Sequence, residues 1–89
     1  MNTISVEELE KIDSSKITIV DVRPADQYSR GSFPGAVNIP LDEFDEKMGT
    51  VDKDKTVYVL CHTGDRSRDC VEKLSEAGYE AVNIEGGYR

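Results

Sequence analysis

Short runs rich in β-branched residues alternate with helical segments along this chain, and that alternation constrains its fold more than any other feature. We expect buried strands over residues 17–22, 36–39, 56–60 and 81–84. Each run is too short to be an independent helix, and segments with helical character separate the runs. Short strand–helix–strand connections favour right-handed βαβ crossovers. The sequence therefore predicts an α/β fold with a parallel sheet that helices cover on both faces.

Capping and turn residues place the expected helices. Ser5 followed by Glu8 is typical of a capping box at a helix start. Pro24 suits the first position of a short second helix. We expect a third, acidic helix over residues 41–48 with its charges in solvent, and a fourth helix over residues 67–77 that ends at Gly78.

Length and charge limit the classes of function. The chain has 89 residues, so we expect residues 1–89 to form one domain. A formal net charge of −7 disfavours nucleic acid and anionic membranes as partners, because both bind positive surfaces. The sequence contains no apolar run near the roughly 20 residues that span a bilayer. Residues 1–8 lack the features of a secretory signal, so we expect a cytoplasmic protein.

Two cysteines and one histidine limit the chemistry of the chain further. Cys61 and Cys70 lack the spacing of a redox pair, and together with His62 they are too few for a tetrahedral zinc site. We therefore expect no metal, and without an export signal we expect no structural disulfide. Cys70 falls within the fourth expected helix, and we interpret it as a small buried residue. A resolving thiol for Cys61 is the less favoured alternative.

The loop after the strand at residues 56–60 is the candidate reaction centre. Gly64 allows this loop to curl so that its backbone N–H groups point inward and bind an anion. The helix that follows adds free N–H groups and the positive end of its dipole. Such surroundings, together with Arg66 and His62, can lower the pKa of a Cys61 thiol below its usual value of about 8.5. A cysteine at a strand end is about as often a plain core residue, so spacing alone favours reactivity only in part.

A second polar cluster is expected beside this loop. Asp21 and Arg23 follow the strand at residues 17–22, just as Cys61 follows the strand at residues 56–60. The carboxyl ends of parallel strands lie along one edge of the sheet, where ligands bind in such folds. We interpret Asp21 and Arg23 as an ion pair that supports the loop and place direct contact with substrate second.

Several blocks of the sequence resemble the rhodanese-like domain family. Residues 61–67, Cys-His-Thr-Gly-Asp-Arg-Ser, are similar to the family's active-site loop. Residues 20–23, Val-Asp-Val-Arg, with Tyr28, and residues 34–40, Pro-Gly-Ala-Val-Asn-Ile-Pro, resemble two further signatures. Gly78-Tyr79 and Gly86-Gly87 are similar to the closing segment. The blocks occur in order along nearly the whole chain.

The resemblance implies a three-layer α/β/α fold with a central parallel sheet and a sulfurtransferase activity. Cys61 would take sulfur as a persulfide from a small sulfur-containing anion such as thiosulfate and pass it to a thiol or protein acceptor. Neither a cofactor nor a metal is implied. Asp21 and Arg23 would support the site, and the expected substrate-binding residues are those of the loop, His62, Thr63, Gly64, Asp65, Arg66 and Ser67.

Departures from the family pattern leave alternatives open. Four residues separate Cys61 from Arg66, whereas related phosphatases have a longer loop, so a phosphatase or arsenate reductase is disfavoured. A non-catalytic interaction module is the other alternative, although such modules commonly lose the cysteine. Ser32 and Phe33 stand where the family usually has His-Ile, and Asp65 puts a negative charge on the loop. Many relatives continue beyond Arg89 with a final helix, so we expect this chain to be either a minimal domain or a domain cut from a longer protein. We also expect a monomer.

Overall fold

The computed structural model describes residues 2–61 and 66–86, and all elements below belong to those ranges. The strands are β1 (Thr3–Ser5), β2 (Ile17–Asp21), β3 (Val37–Asn38), β4 (Thr56–Leu60) and β5 (Ala81–Glu85). The α-helices are α1 (Val6–Leu9), α2 (Ala25–Ser29), α3 (Phe44–Lys47) and α4 (Arg66–Glu76), and short 3₁₀ turns lie at Ser14–Lys16, Leu41–Glu43 and Met48–Thr50.

The described strands form one five-stranded sheet with the order β1-β5-β4-β2-β3. Every pair of neighbouring strands is parallel, and the central pair, β2 and β4, aligns Asp21 with Leu60. The predicted α/β fold with a parallel sheet is therefore confirmed. Sequence reasoning did not assign the edge strand β1, whose residues Thr3 to Ser5 pair with Asn83 to Glu85.

Side-chain alternation along the central strands divides the core into two clusters, one on each face of the sheet. On one face, Val57 and Val59 of β4 pack with Phe44 of α3 and Leu74 of α4. On the other face, Leu60 packs with residues that include Leu9 of α1 and Tyr28 of α2. Helices therefore cover both sides of the sheet, which confirms the three-layer α/β/α arrangement.

Outside one segment, the helices begin within one residue of the positions that the sequence predicts. The capping box at Ser5 and Glu8 is present, and Gly78 follows the end of α4. The helix expected over residues 41–48 is wrong as a single element, since the chain forms a 3₁₀ turn, the short α3 and a second 3₁₀ turn. Phe44 is its only fully buried residue, so little packing holds a regular helix. Pro24 lies at the N-cap position of α2, one residue before the first helical residue, Ala25.

The described helices are short relative to a bilayer. Helix α4 has 11 residues, and within residues 2–61 and 66–86 no helix is long and apolar enough to cross a membrane.

Candidate active site

Cys61 lies at the carboxyl end of β4, where the central strand leaves the sheet. Its side chain is 3% exposed and belongs to the same core cluster as Val59. The backbone N–H of Val22 donates to the carbonyl of Leu60 at 2.9 Å, which keeps the neighbouring strand β2 beside β4 up to this point. The thiol and the segment after β2 are therefore at one edge of the sheet, as the topology predicted.

A cleft of about 700 Å³ opens beside Cys61 at this edge. The exposed Arg66, the first residue of α4, lines the same cleft. The other described residues around it come from the segments after β2 and β3 and from α2, namely Val22, Arg23, Pro24, Gln27, Pro40, Leu41 and Asp42. The structure thus brings together a cysteine, a guanidinium group and the end of the central strand.

Asp21 and Arg23 form the buried ion pair that the sequence predicted. Arg23 Nη2 lies 2.6 Å from Asp21 Oδ2, and Arg23 Nε donates to the same carboxylate at 3.0 Å. The backbone N–H of Arg23 also donates to Asp21 Oδ1 at 3.0 Å. Both side chains are almost completely buried. The pair fixes the turn that follows β2, directly beside Cys61.

Two further side chains, which sequence reasoning missed, complete this network. Ser32 Oγ donates to Asp21 Oδ2 at 2.7 Å, from the position where the family usually has histidine. Asn38 Nδ2 donates to the carbonyls of Asp21 and Arg23, both at 2.9 Å. Arg23 also donates to the carbonyl of Gly31 at 2.7 Å. The ends of β2 and β3 are thereby joined through side chains as well as through the sheet.

Ser67 follows Arg66 in α4, and its side chain is turned toward the sheet. Its hydroxyl is fully buried and donates to Oδ1 of Asn83 on β5. Ser67 is not among the described residues that line the cleft. The hydroxyl therefore ties the start of α4 to the sheet. That Ser67 binds substrate stays a prediction.

Comparison with known proteins assigns the chain to a family. The family model of the rhodanese-like domain matches residues 5–89. This chain belongs to the rhodanese-like domain family. That membership agrees with the resemblance of residues 61–67 and with the parallel three-layer fold.

Curated relatives of this rhodanese-like domain include proteins named as sulfurtransferases. The chain is 39% identical to the Bacillus subtilis protein YtwF over 79 residues, which cover 88% of this chain and 77% of YtwF. It is 43% identical to the Escherichia coli thiosulfate sulfurtransferase PspE over 72 residues, which cover 79% of this chain and 69% of PspE. It spans less than half the length of several other relatives. Sulfur transfer is therefore among the activities of this family.

Solved structures of the family share the fold in detail. The rhodanese-like domain protein of Staphylococcus aureus superposes with a TM-score of 0.89 at 36% identity, covering 98% of this chain and 87% of that protein.

The second cysteine of this rhodanese-like domain is in a different environment from the first. Cys70 is fully buried on the inner face of α4 and, like Cys61, is not part of a disulfide. Burial raises the pKa of the Cys70 thiol to about 11. Cys70 is thus a small buried helix residue, as predicted, and it remains protonated near neutral pH.

Four predicted site residues, His62, Thr63, Gly64 and Asp65, lie outside the described residues. Within the described ranges, histidine, cysteine, aspartate and glutamate residues form no group of three or more that could hold a metal ion.

Proposed function

We propose that this rhodanese-like domain is a sulfurtransferase that carries sulfur as a persulfide on Cys61. The donor is a sulfane-sulfur compound such as thiosulfate, and the acceptor is a small thiol, a protein thiol or cyanide. The observation that carries the proposal is the position of Cys61. Cys61 directly follows the central strand β4 and lines a cleft that the exposed Arg66 also lines.

Charge near the thiol supports this assignment. Arg23 forms an ion pair with the buried carboxylate of Asp21, whereas Arg66 is exposed at the start of α4. A guanidinium group pairs well with anionic oxygen and sulfur, so Arg66 favours both the thiolate and an anionic donor. The backbone N–H groups of residues 62–67 are the proposed donors to the persulfide.

The proposed first half-reaction balances without a cofactor or a metal. The Cys61 thiolate attacks the outer sulfur of thiosulfate and forms a new S–S bond. The S–S bond within thiosulfate breaks, and its electron pair leaves with sulfite. The persulfide on Cys61 takes up a proton from water. In the second half-reaction, an acceptor thiolate attacks the outer sulfur, and Cys61 leaves as a thiolate.

Steady-state transfer from thiosulfate to cyanide tests the proposal. The wild-type protein should release sulfite and thiocyanate in equal amounts. Cys61→Ser should reduce the rate to background, because serine lacks the nucleophilic sulfur. Cys70→Ser is the matched control and should retain most of the activity, because the Cys70 thiol is buried and protonated. A wild-type protein that releases no sulfite would favour the interaction module instead, and full activity in Cys61→Ser would contradict the assignment.

A further inference from the structure

The cleft beside Cys61 is larger than a simple inorganic donor requires. Its volume of about 700 Å³ falls within the range of about 300–1,000 Å³ that is usual for organic ligands. Thiosulfate would fill only the part nearest the thiol. The remaining volume is available to the organic portion of a molecule that gives sulfur to Cys61 or takes it away.

The walls of this cleft suit an organic group and are held in place by the fold. Val22, Pro24, Pro40 and Leu41 provide apolar surface. The backbone N–H of Leu41 donates to the carbonyl of Val22 at 3.1 Å, which joins two of the contributing segments. This hydrogen bond holds the two segments together on one wall of the cleft.

The carboxylate of Asp42 differs from those of its neighbours Glu43 and Asp45 in its charge partners. Glu43 lies 2.6 Å from Lys47, and Asp45 lies 2.8 Å from Lys73, so both of these groups have lysine partners. Asp42 lines the cleft and makes no ion pair with the residues that the structure describes. The sequence predicted only a solvated helix face over residues 42–46, and the structure distinguishes Asp42 within it by its place at the cleft.

Arg66 provides the opposite charge in the same cleft. It is exposed, and among the described residues it has no ion-pair partner. Among the described residues, the cleft thus combines a sulfur nucleophile, the carboxylate of Asp42, apolar walls and two guanidinium groups. Arg23 is paired with Asp21, which leaves Arg66 as the cation that faces an incoming ligand. A zwitterion that carries both an ammonium and a carboxylate group complements this arrangement, whereas a purely anionic thiol would meet the negative charge of Asp42.

We propose that Asp42 is a specificity-determining residue that favours α-amino-acid thiols as sulfur acceptors, with their ammonium group at Asp42 and their carboxylate at Arg66. This inference rests on the proposed function. The acceptor thiolate attacks the outer sulfur of the protonated Cys61 persulfide, and the S–S bond on Cys61 breaks. Cys61 leaves as a thiolate, and the acceptor leaves as its own persulfide with the proton on the transferred sulfur.

Cysteine and N-acetylcysteine form a pair of acceptors for the test, because acetylation removes the ammonium charge and keeps the carboxylate and the thiol. Protein loaded with thiosulfate and freed of excess donor is mixed with each thiol, and the second-order rate constant for loss of the persulfide is measured. The ratio of the two rate constants is compared between variants, because the intrinsic reactivity of each thiol is the same for all of them.

Asp42→Asn should lower the cysteine to N-acetylcysteine ratio by about two- to fivefold at low salt, as expected for one exposed charge pair. The effect should shrink as salt is added. Glu46→Gln removes the same charge from an exposed residue that is not among the described lining, so it should leave the ratio unchanged.

Several outcomes would overturn the inference. An unchanged ratio in Asp42→Asn would do so, as expected if a protein acceptor occupies the cleft. An equal change in Glu46→Gln would show that only the overall charge matters. A protein that never loads sulfur from thiosulfate would instead contradict the proposed function, so the two failures are distinguishable.

Discussion

Asp21 is the residue that holds the segments next to Cys61 in place at the edge of the sheet. Its carboxylate is fully buried and accepts hydrogen bonds from the Arg23 guanidinium, the Arg23 backbone and Ser32. Removing one partner of a buried ion pair leaves the other charge uncompensated, which costs far more than loss of an exposed pair. The turn after β2 therefore depends on a carboxylate that is shielded from solvent.

The first prediction at the residue scale concerns this pair. Asp21→Asn should lower the free energy of unfolding by about 3–5 kcal/mol, because the buried Arg23 loses its counter-charge. Urea denaturation followed by circular dichroism measures the change. Asp26→Asn is the matched control, since Asp26 is exposed and its nitrogen–oxygen distance to Arg30 is 4.0 Å. The control should change stability by less than about 0.5 kcal/mol. Equal losses in the two variants would show that burial of Asp21 does not matter.

Sequence reasoning reached the ion pair but not the residues around it. Asp21 and Arg23 are two positions apart, so their pairing follows from local spacing at a strand end. Ser32 and Asn38 reach Asp21 only because the chain returns to form β3 beside β2. Contacts of that kind depend on tertiary structure. The residues next to Ser32 in the sequence do not indicate that its hydroxyl donates to Asp21.

At the scale of elements, α4 and the segment from Leu41 to Thr50 illustrate when a helix can be predicted. The buried residues of α4, Ser67, Cys70, Val71 and Leu74, have helical spacing, and the prediction misplaced the helix ends by only one residue. The 41–50 segment buries only Phe44 fully, and Tyr79 from a distant part of the chain donates to the carbonyls of Met48 at 3.0 Å and Val51 at 2.9 Å. The contact with Tyr79 therefore helps to fix the conformation of this segment, and such a long-range contact cannot be predicted from the local pattern of apolar residues.

The buried face of α4 leads to a prediction about pH. The pKa of Cys70 is raised by burial to about 11 in the folded protein, from an ordinary value of 9.0. Below about pH 8 the thiol is protonated in both states, so it adds no pH dependence. Above that pH the unfolded state loses its proton first, and stability falls. Between about pH 8 and pH 10.5 this should cost about 2 kcal/mol.

Comparison with Cys70→Ala isolates the contribution of this thiol, because the other titrating groups are shared. Urea denaturation at the two pH values should show a fall in the wild-type protein that is about 2 kcal/mol larger than in the variant. Equal falls would mean that Cys70 does not titrate abnormally.

At the scale of the whole molecule, the parallel topology explains why the location of the candidate site follows from the order of strands and helices along the chain. Parallel strands place their carboxyl ends together, so Asp21 and Cys61 had to share one edge. The cleft, the separate environment of Cys70 and the place of Asp42 at the cleft emerge only from packing between segments. The chain carries a net charge of −7, so any positive charge that attracts the proposed anionic donor has to be local. In the described part of the cleft, Arg66 is the residue proposed to provide it.

Mass spectrometry of the intact protein after thiosulfate treatment tests the central claim most directly. The wild-type protein and Cys70→Ser should each gain the mass of one sulfur atom, and dithiothreitol should remove it. Peptide mapping should place the added sulfur on Cys61, and Cys61→Ser should gain nothing. A persistent adduct in Cys61→Ser, or loss of the adduct in Cys70→Ser alone, would contradict the assignment of Cys61 as the sulfur carrier.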